Sequence, residues 1–280
     1  MPDMSNRTAS HWPLGVTSMM FWSGTVEAAL PKVAQMGYDA VEIWAEHLWR
    51  APEDPAHIGR QLRHHGLRCT VHCPIMDLNI TSPNHGIRDE SLRQMRMSVE
   101  LTHDLASELL VLHPGALYSS HDSLDEYWRV QLAAFENLVR YAQALGVAVA
   151  VENMDVQSKK EPVKTAADVQ RIRRHFAPGE LGFILDTTHL GTTEHILALV
   201  AEMDQIHHVH LSDAEVVSAD KVRTHLRLGD GTLDLARVVA AILPKLCGIL
   251  SLETFVAPGN DHLILAQRQY LLNLLPPRRS

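Results

Sequence analysis

Short apolar runs recur along this chain, and each ends on an acidic residue or a histidine. AVEIW carries Glu42, TVHCP carries His72, LLVLHPG carries His113 and VAVAVEN carries Glu152. FILDTTH carries Asp186 and His189, HHVHLSD carries His210, and ILSLETF carries Glu253. Longer amphipathic stretches separate the runs, so the runs read as strands and the stretches as helices. Strands are expected over Leu14–Met20, up to about Ile43, and over Leu67–His72, Leu109–His113, Val147–Glu152, Leu181–Asp186, Ile206–Leu211 and Ile249–Glu253. Helices are expected over Thr25–Met36, Pro55–His65, Arg88–Ala106, Leu124–Leu145, Thr165–Phe176, Glu194–Met203, from Thr232 or Asp234 towards Leu246, and over His262–Leu275. Repeated βα units of this number predict an α/β fold, a single (β/α)8 TIM barrel. Its active site would lie at the C-terminal ends of the strands.

Loop lengths agree with that orientation. Helix-to-strand connections are short, whereas the strand-to-helix connections Pro74–Ile87, Pro114–Ser123, Asn153–Lys164 and Ser212–Gly231 are long and leave the chain beside the ligand-type residues. Long ordered loops usually carry function. No linker divides the chain. Residues 1–280 are therefore expected to form one domain, with the barrel over about 14–275 and short polar tails at both ends.

Composition narrows the function class. A chain of 280 residues, 46% hydrophobic, with a formal net charge of −8, suits a soluble protein with one substantial core. The acidity and the lack of a basic run disfavour a nucleic-acid partner. No apolar run reaches the roughly 18 residues of a membrane helix, and the N-terminus lacks the apolar centre of a signal peptide. Three cysteines make no disulfide framework, so a cytoplasmic location is the expectation. Without a secretion signal, the glycosylation patterns at Asn6 and Asn79 read as incidental.

Glu152, Asp186, His210 and Glu253 end four strands of the ring and together form a site for a divalent cation. Three carboxylates favour Mn or Mg, and the imidazole admits Zn or Co. The competing reading is that these residues pair among themselves or cap helices. His72 and His113 end adjacent strands beside Glu152. They would form a second site with Glu152 bridging, or act as neutral histidines that bond substrate or backbone. One or two ions per chain are thus expected. His189 and His225 make a poor ion site alone and read as substrate-binding residues. Glu42 would contact a substrate hydroxyl, orient a ligand or pair with Arg63 or Arg68. Trp22 and Trp44 would wall the pocket or pack in the core, and Cys73 reads as packing.

The combination VTSMMFW, GYDAVEIW, HPG, VEN, LDTTH, HVHLSD, LGDG and SLET resembles the xylose-isomerase-like barrel superfamily over almost the whole chain. That group includes sugar and sugar-phosphate isomerases and epimerases, and the endonuclease-IV type of AP endonuclease. From the isomerase branch, the resemblance implies Glu152, Asp186, His210 and Glu253 as metal ligands. It also implies Glu152 and Glu253 as catalytic proton carriers, with His189 at the substrate oxygens. A cation holding a carbonyl and a neighbouring hydroxyl suits proton transfer through an enediolate. The substrate would be a small sugar or sugar phosphate, and the superfamily admits a homodimer. From the nuclease branch, the resemblance implies a metal cluster and phosphodiester hydrolysis. The departure is Arg223, which stands where that pattern has an aspartate two residues before the histidine matching His225. An arginine does not ligate a cation, but it would bind a phosphate or carboxylate on a small substrate. With Glu42 in GYDAVEIW, this places the isomerase or epimerase reading first, the di-metal hydrolase second and a non-catalytic sugar binder third.

Overall fold

The computed structural model describes residues 12–218 and 221–276. The strands are β1 (Leu14–Thr17), β2 (Ala40–Trp44), β3 (Arg68–His72), β4 (Leu110–Leu112), β5 (Val149–Glu152), β6 (Gly182–Asp186) and β7 (Ile206–Leu211). An antiparallel pair, β8 (Asp213–Ser218) and β9 (Lys221–Leu226), precedes β10 (Leu246–Leu252). All but the pair close into a parallel barrel in the order β1, β10, β7, β6, β5, β4, β3, β2. This is the expected (β/α)8 TIM barrel. Every residue of β1, β2, β5 and β6 is buried, as parallel strands covered by helices on the outside require.

The helices are α1 (Val26–Gln35), α2 (Ala45–Trp49), α3 (Pro55–His64), α4 (His85–Asp104), α5 (Leu124–Ala144), α6 (Ala166–Arg173), α7 (Thr193–Glu202), α8 (Leu235–Ile242) and α9 (Asp261–Leu274). Most of them begin where a short polar side chain accepts a backbone N–H of the first turn. Thr25, Asp54, Asn84, Ser123, Thr165, Thr192 and Asp234 do this for α1, α3, α4, α5, α6, α7 and α8. At Thr165 the cap is reciprocal, because Asp168 bonds back to the Thr165 N–H.

Several expectations are corrected. β1 stops at Thr17, and Ser18–Phe21 tighten into a 3-10 turn. The five-residue α2 follows β2 directly and was not expected. α8 ends at Ile242, because Pro244 lies in the 3-10 turn Leu243–Lys245 that follows. β10 starts earlier than expected, at Leu246, and shifts register against β7 between Leu246 and Ile249. There the backbones press together, so that a Cβ on Gly248 would lie 1.7 Å from the His207 carbonyl oxygen. The largest difference is the β8–β9 hairpin, which occupies the segment expected to be an open loop. The polar tail before residue 12 and the one after Pro276, with the pattern at Asn6, lie outside the described residues. Asn79 spends its amide on the Ala116 and Thr81 turn, so it has a local structural role.

Candidate metal centre

Successive side chains of a strand alternate between faces, so a residue at a strand's C-terminal end is aimed either into the barrel or out of it. Glu152, Asp186 and His210 end or nearly end β5, β6 and β7, and Glu253 follows β10. One ligand atom from each of these four lies within 4.8 Å of the others. His210 Nδ1 stands 2.9 Å from Glu253 Oε2, 3.1 Å from Glu152 Oε1 and 4.0 Å from Asp186 Oδ2. His72 Nε2 and His113 Nε2 approach the other oxygen of the same glutamate, Glu152 Oε2, at 3.5 and 3.2 Å. His189 Nδ1 lies 3.5 Å from Glu152 Oε1, and its backbone N–H donates to Asp186 Oδ1. Asp186, His189 and His225 also form a group with ligand atoms within 4.8 Å.

These groups are held from behind. Asn153 donates to the Asp186 carbonyl and accepts the Asp186 N–H, tying β5 to β6. Thr188 donates to Asp186 Oδ1. Trp44 stacks flat on His72, with ring centroids 4.4 Å apart, while His72 Nδ1 faces the Cys73 carbonyl at 2.7 Å. A polar contact at Nδ1 leaves Nε2 directed towards Glu152.

The electrostatics call for positive charge. Burial opposes ionisation of Glu152, yet His210 and the contacts from His113 and His72 hold its carboxyl well below the usual range. Burial likewise opposes ionisation of Glu253, and His210 outweighs it. In return, burial works against a charged His210, but Glu253, Glu42 and Glu152 keep it protonated far above the usual imidazole range. His189, also penalised by burial, is pushed up to about 9 by Asp186 and Glu152. The imidazolium protons supply the charge that a cation would supply. Glu152 Oε2, Asp186 Oδ2 and Glu253 Oε2 are buried and, despite their close neighbours, take no hydrogen bond of good geometry. Buried acceptors left in this state are costly unless something fills them. The donor set, three carboxylates and an imidazole, fits a divalent ion.

Two of the expected substrate contacts have partners within the chain. Arg223 pairs with Glu215 directly across the hairpin at 2.7 Å, and its side chain is 56% exposed. Glu42 is 1% exposed and faces His208 and His210 rather than the open mouth. It does not pair with Arg68, which is bonded to Glu108. His225 does reach the site. Its backbone sits at φ 52°, in the left-handed region, and its Nδ1 faces the Glu253 carbonyl at 3.3 Å. Strain of this kind in a non-glycine residue is found where a side chain must be aimed.

Two residues were missed from the sequence. His208, two before His210 on β7, faces the same way and is 1% exposed. The i, i+2 spacing of the histidines was the available signal. Asp213, in HVHLSD, accepts the backbone N–H groups of Ala214, Gly229, Gly231 and Leu233. It clamps the LGDG turn against the end of β7, which fixes the hairpin that carries His225. A Cβ on Gly231 would meet Asp213 Oδ1 at 2.3 Å, so that glycine is required by the clamp.

A closed barrel with inward carboxylates and histidines at the strand ends defines a class, and the comparisons agree with it. The chain belongs to the xylose isomerase-like TIM barrel family, whose model matches residues 30–274. It is 25% identical over 257 residues to the uncharacterized protein MJ1311 of Methanocaldococcus jannaschii, covering 87% of this chain and 85% of that one. Among solved structures it superposes on a D-tagatose 3-epimerase-like protein with a TM-score of 0.79 at 22% identity, over 94% of this chain and 96% of that one. The IOLI protein, solved with a zinc atom, matches with a TM-score of 0.80 at 16% identity, over 94% and 97% of the two chains. At these identities the likeness establishes the fold. Among the described residues, no helix is long and apolar enough to cross a membrane.

Proposed function

We propose that this protein is a divalent-metal-dependent isomerase or epimerase of a small sugar or sugar phosphate. The observation that carries the reading is the convergence of Glu152, Asp186, His210 Nδ1 and Glu253 within 4.8 Å, with three buried carboxylate oxygens that take no hydrogen bond of good geometry. The epimerase-like neighbour and the zinc-bearing neighbour support it as analogies of fold. A bound divalent ion would polarise a substrate carbonyl and stabilise negative charge on its oxygen. Glu152 and Glu253 are the proton carriers. β5 and β10 are separated in the ring by β6 and β7, so these carboxylates approach a bound substrate from different sides. One removes the proton beside the carbonyl, and either one returns it. Return to the neighbouring carbon isomerises, and return to the opposite face epimerises. His189 and His225 contact substrate oxygens from the edge of the cluster.

A second reading, a di-metal phosphodiester hydrolase, has its own observation. His72 and His113 converge on Glu152 Oε2, so Glu152 would bridge a second ion. The two readings separate in one experiment. Metal-loaded protein is incubated in deuterated water with a panel of ketoses and ketose phosphates, and with bis-p-nitrophenyl phosphate. Incorporation of deuterium at the carbon next to the carbonyl supports the isomerase. Phosphodiester cleavage with no exchange anywhere in the panel overturns it.

A further inference from the structure

Behind the cluster lies a second group of buried polar residues that the proposed chemistry does not use. Glu42 sits on β2 and His208 and His210 on β7, strands separated around the ring by β1 and β10. The contact therefore crosses the barrel interior. Glu42 Oε1 lies 2.9 Å from His210 Nε2 and Glu42 Oε2 lies 2.9 Å from His208 Nε2, ion-pair contacts whose angles fall short of a hydrogen bond, and Thr70 donates to Glu42 Oε2 at 3.1 Å. All three of Glu42, His208 and His210 are at most 1% exposed.

The two nitrogens of His210 therefore have different surroundings. Nδ1 faces Glu253, Glu152 and Asp186, and Nε2 faces Glu42. An imidazole ligates a cation through an unprotonated nitrogen, so its remaining proton must reside on the other one. A carboxylate at hydrogen-bond distance from that other nitrogen fixes the tautomer and the ring orientation and raises the basicity of the ligating nitrogen. We propose that Glu42, braced by His208 and Thr70, is a positioning residue that holds the His210 ring with Nδ1 directed into the carboxylate cluster. The assignment rests on the proposed metal site and deepens it. On this assignment Glu42 acts through His210.

His208 belongs to the same device. A carboxylate on a flexible side chain, pulled by a single partner, would follow that partner. With His208 and Thr70 on Oε2 and His210 on Oε1, the carboxylate plane is defined from both sides. Two imidazoles and the Thr70 hydroxyl also surround the buried carboxylate, so it is not left without polar neighbours.

The test is metal affinity together with the visible spectrum of the Co(II)-loaded protein, measured for the wild type, Glu42→Gln and His208→Gln. Glutamine keeps the shape of Glu42 but loses its charge and one acceptor. Glu42→Gln should bind Co(II) or Zn about 10–100-fold more weakly at unchanged stoichiometry, the usual effect of removing such a partner. Its Co(II) absorption bands should shift, because the donor strength of His210 falls. His208→Gln, which loses the brace on Glu42, should show a smaller loss and a shift in the same direction. It decides the matter if Glu42→Gln does not fold. Wild-type affinity and an unchanged spectrum in the folded variants would overturn the inference while leaving the metal centre intact. Loss of one whole ion in Glu42→Gln would also overturn it, by making Glu42 a ligand. A wild-type chain that takes up no ion would overturn both this inference and the proposed function.

Discussion

Two regions at the end of this barrel carry polar chemistry, and they are built differently. The cluster of Glu152, Asp186, His210 and Glu253 descends from the ends of buried strands, and none of the four residues is more than 8% exposed. The β8–β9 hairpin reaches out into solvent, with Val216 and Val217 45% and 52% exposed and Arg223 paired with Glu215. The strand ends cannot move without moving the barrel, so they suit groups whose separations set a coordination sphere. The hairpin is held at its base by Asp213 and sends one residue, His225, into the site. Precision belongs to the ring, and the loop is the part free to vary.

The contrast is broken most sharply inside the ring. Glu253→Gln should lower substrate proton exchange by about 10²–10⁴-fold, the usual contribution of a positioned general base. Deuterium incorporation followed by mass spectrometry checks this, and retention of more than a tenth of the rate would remove Glu253 from the proton path. At the hairpin base, Asp213→Ala would leave four backbone N–H groups without their acceptor. A stability loss of ~2–4 kcal/mol is expected from denaturant unfolding, with the LGDG turn losing hydrogen-exchange protection.

A third effect is one of pH in chelator-treated protein. His189 is raised to about 9 in the fold against an ordinary 6.5, so its contribution to stability is full below about 6.5. That contribution is lost as pH rises through about 9. Glu42, Glu152 and Glu253 are lowered, so theirs is present above the ordinary carboxylate range and is lost on acidification below it. Melting temperature should therefore fall on both sides of a plateau near pH 5–6.5. His189→Asn should weaken the fall near pH 9 and leave the part due to His210 and His72, which are also raised, and an unchanged alkaline limb would refute the assignment. Metal loading should reverse the trend, because the ion displaces imidazolium protons and its affinity rises with pH. The smallest effect is expected at Arg223. Removing an exposed pair costs about 0–1 kcal/mol, so Arg223→Ala should leave melting and turnover nearly unchanged. A tenfold rise in KM for a phosphorylated substrate would return Arg223 to the binding site.

Much of this was legible from the chain. A carboxylate or histidine at the end of an apolar strand is costly to bury without a partner, so Glu152, Asp186, His210 and Glu253 stand out before any geometry is known. The helix starts were legible too, because Thr25, Asp54 and Ser123 cap where such residues usually do. The hairpin was not, since Asp213–Leu226 is rich in charge and lacks the glycine-containing turn that marks most two-strand connections. The cross-barrel contact of Glu42 with His208 was beyond sequence reading for a different reason. It joins strands far apart around the ring, and only closure of the barrel brings them within reach. The pairing of Arg223 with Glu215 was hidden because Glu215 lies on a strand that the loop reading did not contain.

The most direct test of the central claim is metal content per chain. Protein purified without chelator and reloaded with Mn, Co or Zn would be measured by elemental analysis beside Asp186→Ala. At least one equivalent in the wild type, lost in Asp186→Ala, is the predicted result, and a second equivalent removed by His72→Ala would shift the chemistry towards hydrolysis. No retained ion in the wild type, or equal retention in Asp186→Ala, would contradict the account.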